Sequence, residues 1–108
     1  MSDLTDQMKQ FAREHGADLV GVAPAERFAE VPAERSPLSI FPEMTAAIVI
    51  GRRITRGTLR GIEEGTNFGL YEQFGYSWLD MQFVALSTFE VTEWLEDRGW
   101  EAVPLFPF

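Results

Sequence analysis

Four arginines, Arg52, Arg53, Arg56 and Arg60, stand within the segment "GRRITRGTLRGIEEGTNFG", and no acid lies among them before Glu63. A guanidinium offers N–H donors in a rigid fork that matches the oxygens of carboxylate and phosphate. Arg56-Gly57 and Arg60-Gly61 set that fork beside a residue that lets a ligand approach the backbone closely. Arginine is the basic residue at every basic position except Lys9, which suits planar, bidentate recognition better than diffuse attraction. Tyr71 and Tyr76, a little further on, add hydroxyls or a stacking face. The segment reads as a grip for a small anionic or amide-rich molecule. Its candidate cofactor-binding residues are Arg52, Arg53, Arg56, Gly57, Arg60, Tyr71 and Tyr76. The competing reading pairs these arginines with acids, Glu63 and Glu64 among them, or with a covering partner.

Other chemistry finds little footing. "GADLVGVA" has two glycines but carries Val22 and Ala23 where a phosphate-binding loop needs Lys and Ser or Thr. Its glycines also flank a strand instead of following one, and no G-x-G-x-x-G occurs. The chain has no cysteine, so it holds no disulfide and no thiolate ligands for zinc or an iron–sulfur cluster. His15 is the single histidine and falls in the last turn of the first expected helix, where a cation complements the helix dipole. Neighbouring acids such as Glu63 and Glu64 read as a solvated face, and no catalytic residue is assigned.

The charge balance limits the partners. There are 17 acids against 9 basic residues, a formal charge of −8. So acidic a chain does not suit non-specific nucleic-acid binding, which rests on many cations neutralising phosphates. A hydrophobic fraction of 45% with nine Phe and three Trp is globular, not disordered. No signal peptide is expected from the acidic start, and no apolar run is long enough to span a bilayer. A cytoplasmic protein is expected, with no membrane partner.

Several elements must position the arginines. Leu4, Met8, Phe11 and Ala12 recur at helical spacing, with Ser2 or Asp3 as cap and Gly16 as stop. "DLVGVA" (18–23) and "AAIVIG" (46–51) read as buried strands. Between them lies a proline-rich connection with one helical turn near Ala25–Phe28. A long helix is expected to begin between Tyr71 and Trp78 and to stop at Gly99, followed by a third strand over 100–105. The order α-β-β-α-β implies an α/β fold with a right-handed βαβ crossover and a parallel pair.

At 100° per residue, Met81, Val84, Ala85, Thr88, Val91, Thr92 and Leu95 fall on the side of the long helix that would cover the sheet. Leu79, Phe83, Leu86 and Trp94 fall on the other side, where a partner is expected. That partner is the remainder of the same polypeptide or a second copy. The apolar stub Leu105, Phe106 and Phe108 adds to the expectation that residues 1–108 form one incomplete domain.

The order of these features resembles the N-terminal region of iron–sulfur oxidoreductases of the epoxyqueuosine reductase and reductive-dehalogenase-like superfamily. The resemblance is carried by "FAREHGADLVGVAPAERF", "FPEMTAAIVIG", "ITRGTLRGIEEGT" and "WLEDRGWEAVPL", in that order. It implies part of a nitroreductase-like α/β domain that binds a corrinoid in characterised relatives. Iron–sulfur clusters further along such chains supply electrons, and the cysteines that hold them are not in this sequence. The resemblance places Arg56-Gly57 beside the ligand-bearing side of the domain. It implies an oxidoreductase only for a longer chain, with this piece forming one side of the cofactor or substrate pocket. The alternative is a self-associating interaction module without catalysis.

Overall fold

The computed structural model describes residues 3–105. Helix α1, Asp3–Glu14, has Asp3 and Asp6 in its first turn and Arg13 in its last, each sign complementing the dipole. Ser2, the other candidate cap, lies outside the described residues, as do Phe106 and Phe108. The helix closes where the Ala17 N–H donates to the Ala12 carbonyl at 2.9 Å. Gly16 makes this turn with a φ of +103°, a conformation costly for any residue with a Cβ.

Strands β1 (Leu19–Pro24) and β2 (Ala46–Gly51) follow, and they pair antiparallel with Leu19 opposite Gly51 and Pro24 opposite Ala46. The connection between them makes only short 3₁₀ turns, at Ala25–Phe28, Ala33–Arg35 and Pro37–Ser39. Its prolines fix φ and remove N–H donors, so no longer helix forms there. The chain returns to the end of the sheet it left, where the Ala25 N–H donates to the Thr45 carbonyl at 3.0 Å.

The arginine segment folds into a 3₁₀ turn, Arg56–Leu59, and the short helix α2, Arg60–Glu64. From Gly69 to Asp97 the chain is helical, starting slightly earlier than the sequence predicts. Only α3, Ala85–Asp97, is α-wound throughout, because Tyr71–Ser77 and Leu79–Val84 are wound as π-helix. A π-turn bonds i to i+5, so each residue turns through a smaller angle than in an α-helix. Faces assigned at 100° per residue lose their phase there. Met81, expected to cover the sheet, is 59% exposed.

The expected third strand does not form. Residues 100–105 pair with no strand, and the βαβ unit is therefore absent among the described residues. The Trp100 N–H is taken by the Leu95 carbonyl at 3.1 Å in the turn that ends α3, and Pro104 has no N–H. Two ladder donors of this short segment are thus unavailable. The fold is mixed α/β and mostly helical, with three α-helices and a two-stranded antiparallel sheet among the described residues.

Helices α1 and α3 pack together around Met8, Ala12, Ala17, Val91 and Trp94, with Val20, Ile48 and Ile50 of the sheet against them. Those three sheet residues share one face. The opposite face, with Leu19 and Val49, is 74% and 61% exposed at these two positions. Both strands are continuous apolar runs, the pattern of strands covered on both faces. Here one face is covered and the other is open.

The radius of gyration, 16.2 Å, exceeds the roughly 13 Å of a compact chain this long. The accessible surface, 7715 Å², exceeds by about 1,600 Å² what a folded monomer of this mass shows. The exposed apolar residues and the elongated shape mark a surface for a partner. Leu79, Phe83, Leu86 and Trp94 do not make up that surface as the helical wheel predicts. Trp94 is buried with its ring 5.6 Å from that of Phe11, Leu79 and Phe83 are half-buried, and only Leu86 is exposed.

Candidate functional site

Antiparallel pairing brings the residue before β1 to the residues after β2. The Asp18 N–H donates to the Gly51 carbonyl at 2.8 Å, and the Arg53 N–H donates to Asp18 Oδ2 at 2.8 Å. From this corner the Arg52 side chain runs along Gly16, where a Cβ would stand only 2.8 Å from its Cζ. Arg52 Nη1 donates to the Phe83 carbonyl at 3.2 Å, and its Cζ lies 5.9 Å from the Phe83 ring centre. Ser87, almost fully buried, donates from Oγ to the His15 carbonyl at 2.7 Å. The end of α1, the exit of β2 and the long helix are tied together here.

A cavity of about 420 Å³ opens at this junction. Arg13, Asp18, Arg52, Arg53, Thr55 and Thr58 form its polar wall, and Phe74, Leu79 and Phe83 its apolar wall. Phe74 lies nearly parallel to Phe83, with centroids 6.4 Å apart, and meets Trp78 edge-on at 5.0 Å. Thr55 and Thr58 share one hydrogen bond of 2.6 Å, which leaves one hydroxyl proton over. Three guanidinium groups face one carboxylate. Cationic and hydroxyl groups thus lie on one side of the cavity and aromatic and aliphatic surface on the other.

The seven residues singled out from sequence separate into two groups. Arg52 and Arg53 line the cavity. Arg56 instead bonds Glu63 at 2.8 Å and Arg60 bonds Glu64 at 3.1 Å, both on the exposed surface. Gly57 lies exposed in the turn between them. Tyr71 is half-buried with its ring 5.9 Å from Phe68, and Tyr76 is 59% exposed. None of these five lines the cavity.

Sequence reading missed Arg13, Asp18 and the aromatic wall. Arg13 and Asp18 flank the Gly16 stop signal, so the signal for them was that α1 and β1 meet where β2 ends. It becomes readable only once β1 and β2 are known to be antiparallel.

His15 stacks on Phe11 at 3.8 Å and donates from Nδ1 to the Phe11 carbonyl at 2.8 Å. A shallower groove of about 410 Å³ runs between α1 and α3, where Arg98 lies 3.7 Å over the Trp94 ring. Among the described residues, no group of His, Asp and Glu is arranged to hold a metal ion. No helix among them is long and apolar enough to cross a membrane. The chain matches no family model, no curated protein and no solved structure.

Proposed function

We propose that this chain forms one side of the cofactor or substrate pocket in the N-terminal α/β domain of a cytoplasmic iron–sulfur oxidoreductase. The carrying observation is the β1–β2 sheet, apolar on both faces and covered by α1 and α3 on only one. Further sequence of the same polypeptide would cover the open face and add strands at the sheet's edges to complete a nitroreductase-like sheet. The excess surface of about 1,600 Å² is the size one partner contributes to an obligate interface. The arginine-lined cavity stands at the end of this sheet, where β1 begins and β2 ends.

The implied cofactors do not fit on the residues present. With no cysteine and no metal-holding cluster among the described residues, this chain offers no ligand set for an iron–sulfur cluster. Clusters would be held by the remainder of the polypeptide. The cavity suits a small molecule, and a corrinoid needs more wall than this chain supplies. What the chain's own residues do is bind and orient, through Arg52, Arg53 and the facing aromatic wall.

The test is to purify the natural gene product without oxygen and to measure its iron and cobalt content with its visible and paramagnetic spectra. An iron–sulfur signal is expected. A metal-free homo-oligomer, assembled through the open sheet face, would overturn this reading in favour of the self-associating module.

A further inference from the structure

We propose that the cavity beside Arg52 and Arg53 binds a ring-bearing oxyanion, an aromatic or heteroaromatic ring that carries a carboxylate or phosphate. This deepens the reading of the cavity as a ligand pocket by naming what it takes, and it requires no redox centre.

The charges point to the oxyanion. Acids outnumber basic residues 17 to 9 in this chain, and exposed Arg56 and Arg60 each hold a glutamate. Arg13 and Arg53 line the cavity, yet their side chains make no hydrogen bond or ion pair among the described residues. Asp18, the one acid of the wall, has Oδ2 engaged by the Arg53 N–H. Arg52 is held in place by Gly16 and the Phe83 carbonyl with other N–H donors left over. The Arg52 guanidinium is therefore pre-positioned, so little of its side-chain entropy is lost when an oxyanion arrives, while exposed Arg13 and Arg53 have donors free to close on it.

The opposite wall points to the ring. Phe74 is 45% exposed beside the cavity and nearly parallel to Phe83. A bare inorganic anion would leave that surface wet, whereas a planar ring covers it and gains stacking. The remaining Asp18 oxygen accepts a ring N–H or O–H, and the spare threonine proton adds a donor for the oxyanion. The volume, about 420 Å³, matches one small ligand. A polyanion is disfavoured by the net charge of −8.

Calorimetric titration of the intact chain with 5′-AMP, benzoate and inorganic phosphate tests this. At least one ring-bearing probe should bind about tenfold or more tightly than phosphate. Tighter 5′-AMP assigns a nucleotide-like ligand, and tighter benzoate an aromatic acid.

Arg53→Ala should weaken the ring-bearing probe about tenfold, the loss expected for one charge-assisted hydrogen bond, with the melting temperature unchanged. Phe74→Ala should weaken the ring-bearing probes and leave phosphate as it was, and Arg56→Ala should leave the affinity of every probe unchanged. Thr58→Val provides a second, independent weakening. Phosphate binding as tightly as the rings, no probe binding at millimolar concentration, or full affinity in Arg53→Ala would each overturn the proposal. A metal-free natural product would leave it standing, so the two readings fail separately.

Discussion

The Arg52 guanidinium lies against Gly16, so close that a Cβ there would sit 2.8 Å from Cζ and 2.9 Å from Ser87 Oγ. One glycine thereby lets the exit of β2 cross the end of α1 and reach the long helix. Gly16→Ala both strains a φ of +103° and pushes Arg52 off its place. It should destabilise the chain by about 1–3 kcal/mol in urea unfolding. An unchanged midpoint would mean that the turn is not held in this form.

Ser87 answers from the other side. Its hydroxyl, 1% exposed, donates to the His15 carbonyl at 2.7 Å. Ser87→Ala removes that donor from a buried acceptor and should cost about 1–2 kcal/mol. Because Ser87 and Gly16 meet at the same point, Gly16→Ala with Ser87→Ala should lose less than the two separate losses added together. A double-mutant cycle in urea measures this, and strict additivity would count against the shared contact.

Trp94 and Leu86 should behave oppositely, although both were expected to face a partner. Trp94, 8% exposed against Phe11, belongs to the core, so Trp94→Ala should cost about 3–5 kcal/mol. A loss of that size is a large part of a small domain's stability. Leu86→Ala, at a position 56% exposed, should fall within about 0.5 kcal/mol of the parent. Far-ultraviolet dichroism during denaturation separates the two. Similar losses at both positions would reject this packing.

The open sheet face should be the sticky surface. Leu19→Lys with Val49→Glu changes side chains that are 74% and 61% exposed, so folding stability should move by no more than about 1 kcal/mol. Binding of a hydrophobic dye, or self-association seen by sedimentation, should fall clearly. Unchanged dye binding would locate the sticky surface elsewhere.

The surface pairs should contribute little. Arg56→Ala and Arg60→Ala each break an exposed ion pair, with arginine side chains 73% and 74% accessible, so each should cost under about 1 kcal/mol. The loss should shrink further in high salt. A larger loss would show that the Arg56–Leu59 turn braces the cavity.

By itself the sequence determined what is local. The four-residue spacing of Leu4, Met8 and Ala12 with the Gly16 stop defined α1, and the apolar runs at 18–23 and 46–51 marked both strands to within a residue. Local signals sufficed because periodicity, proline and glycine act through neighbouring backbone and one buried face.

Tertiary structure decided the rest. It set the antiparallel direction of β1 and β2, the π-winding before Ala85, and the burial of Trp94. It also divided the arginines, sending Arg52 and Arg53 to a cavity while Arg56 and Arg60 paired with Glu63 and Glu64. All four arginines look alike in sequence because a guanidinium's role depends on which groups lie within a few ångströms of it. For Arg52 those groups are Gly16 and Phe83, brought near only when α1, β2 and the long helix pack together.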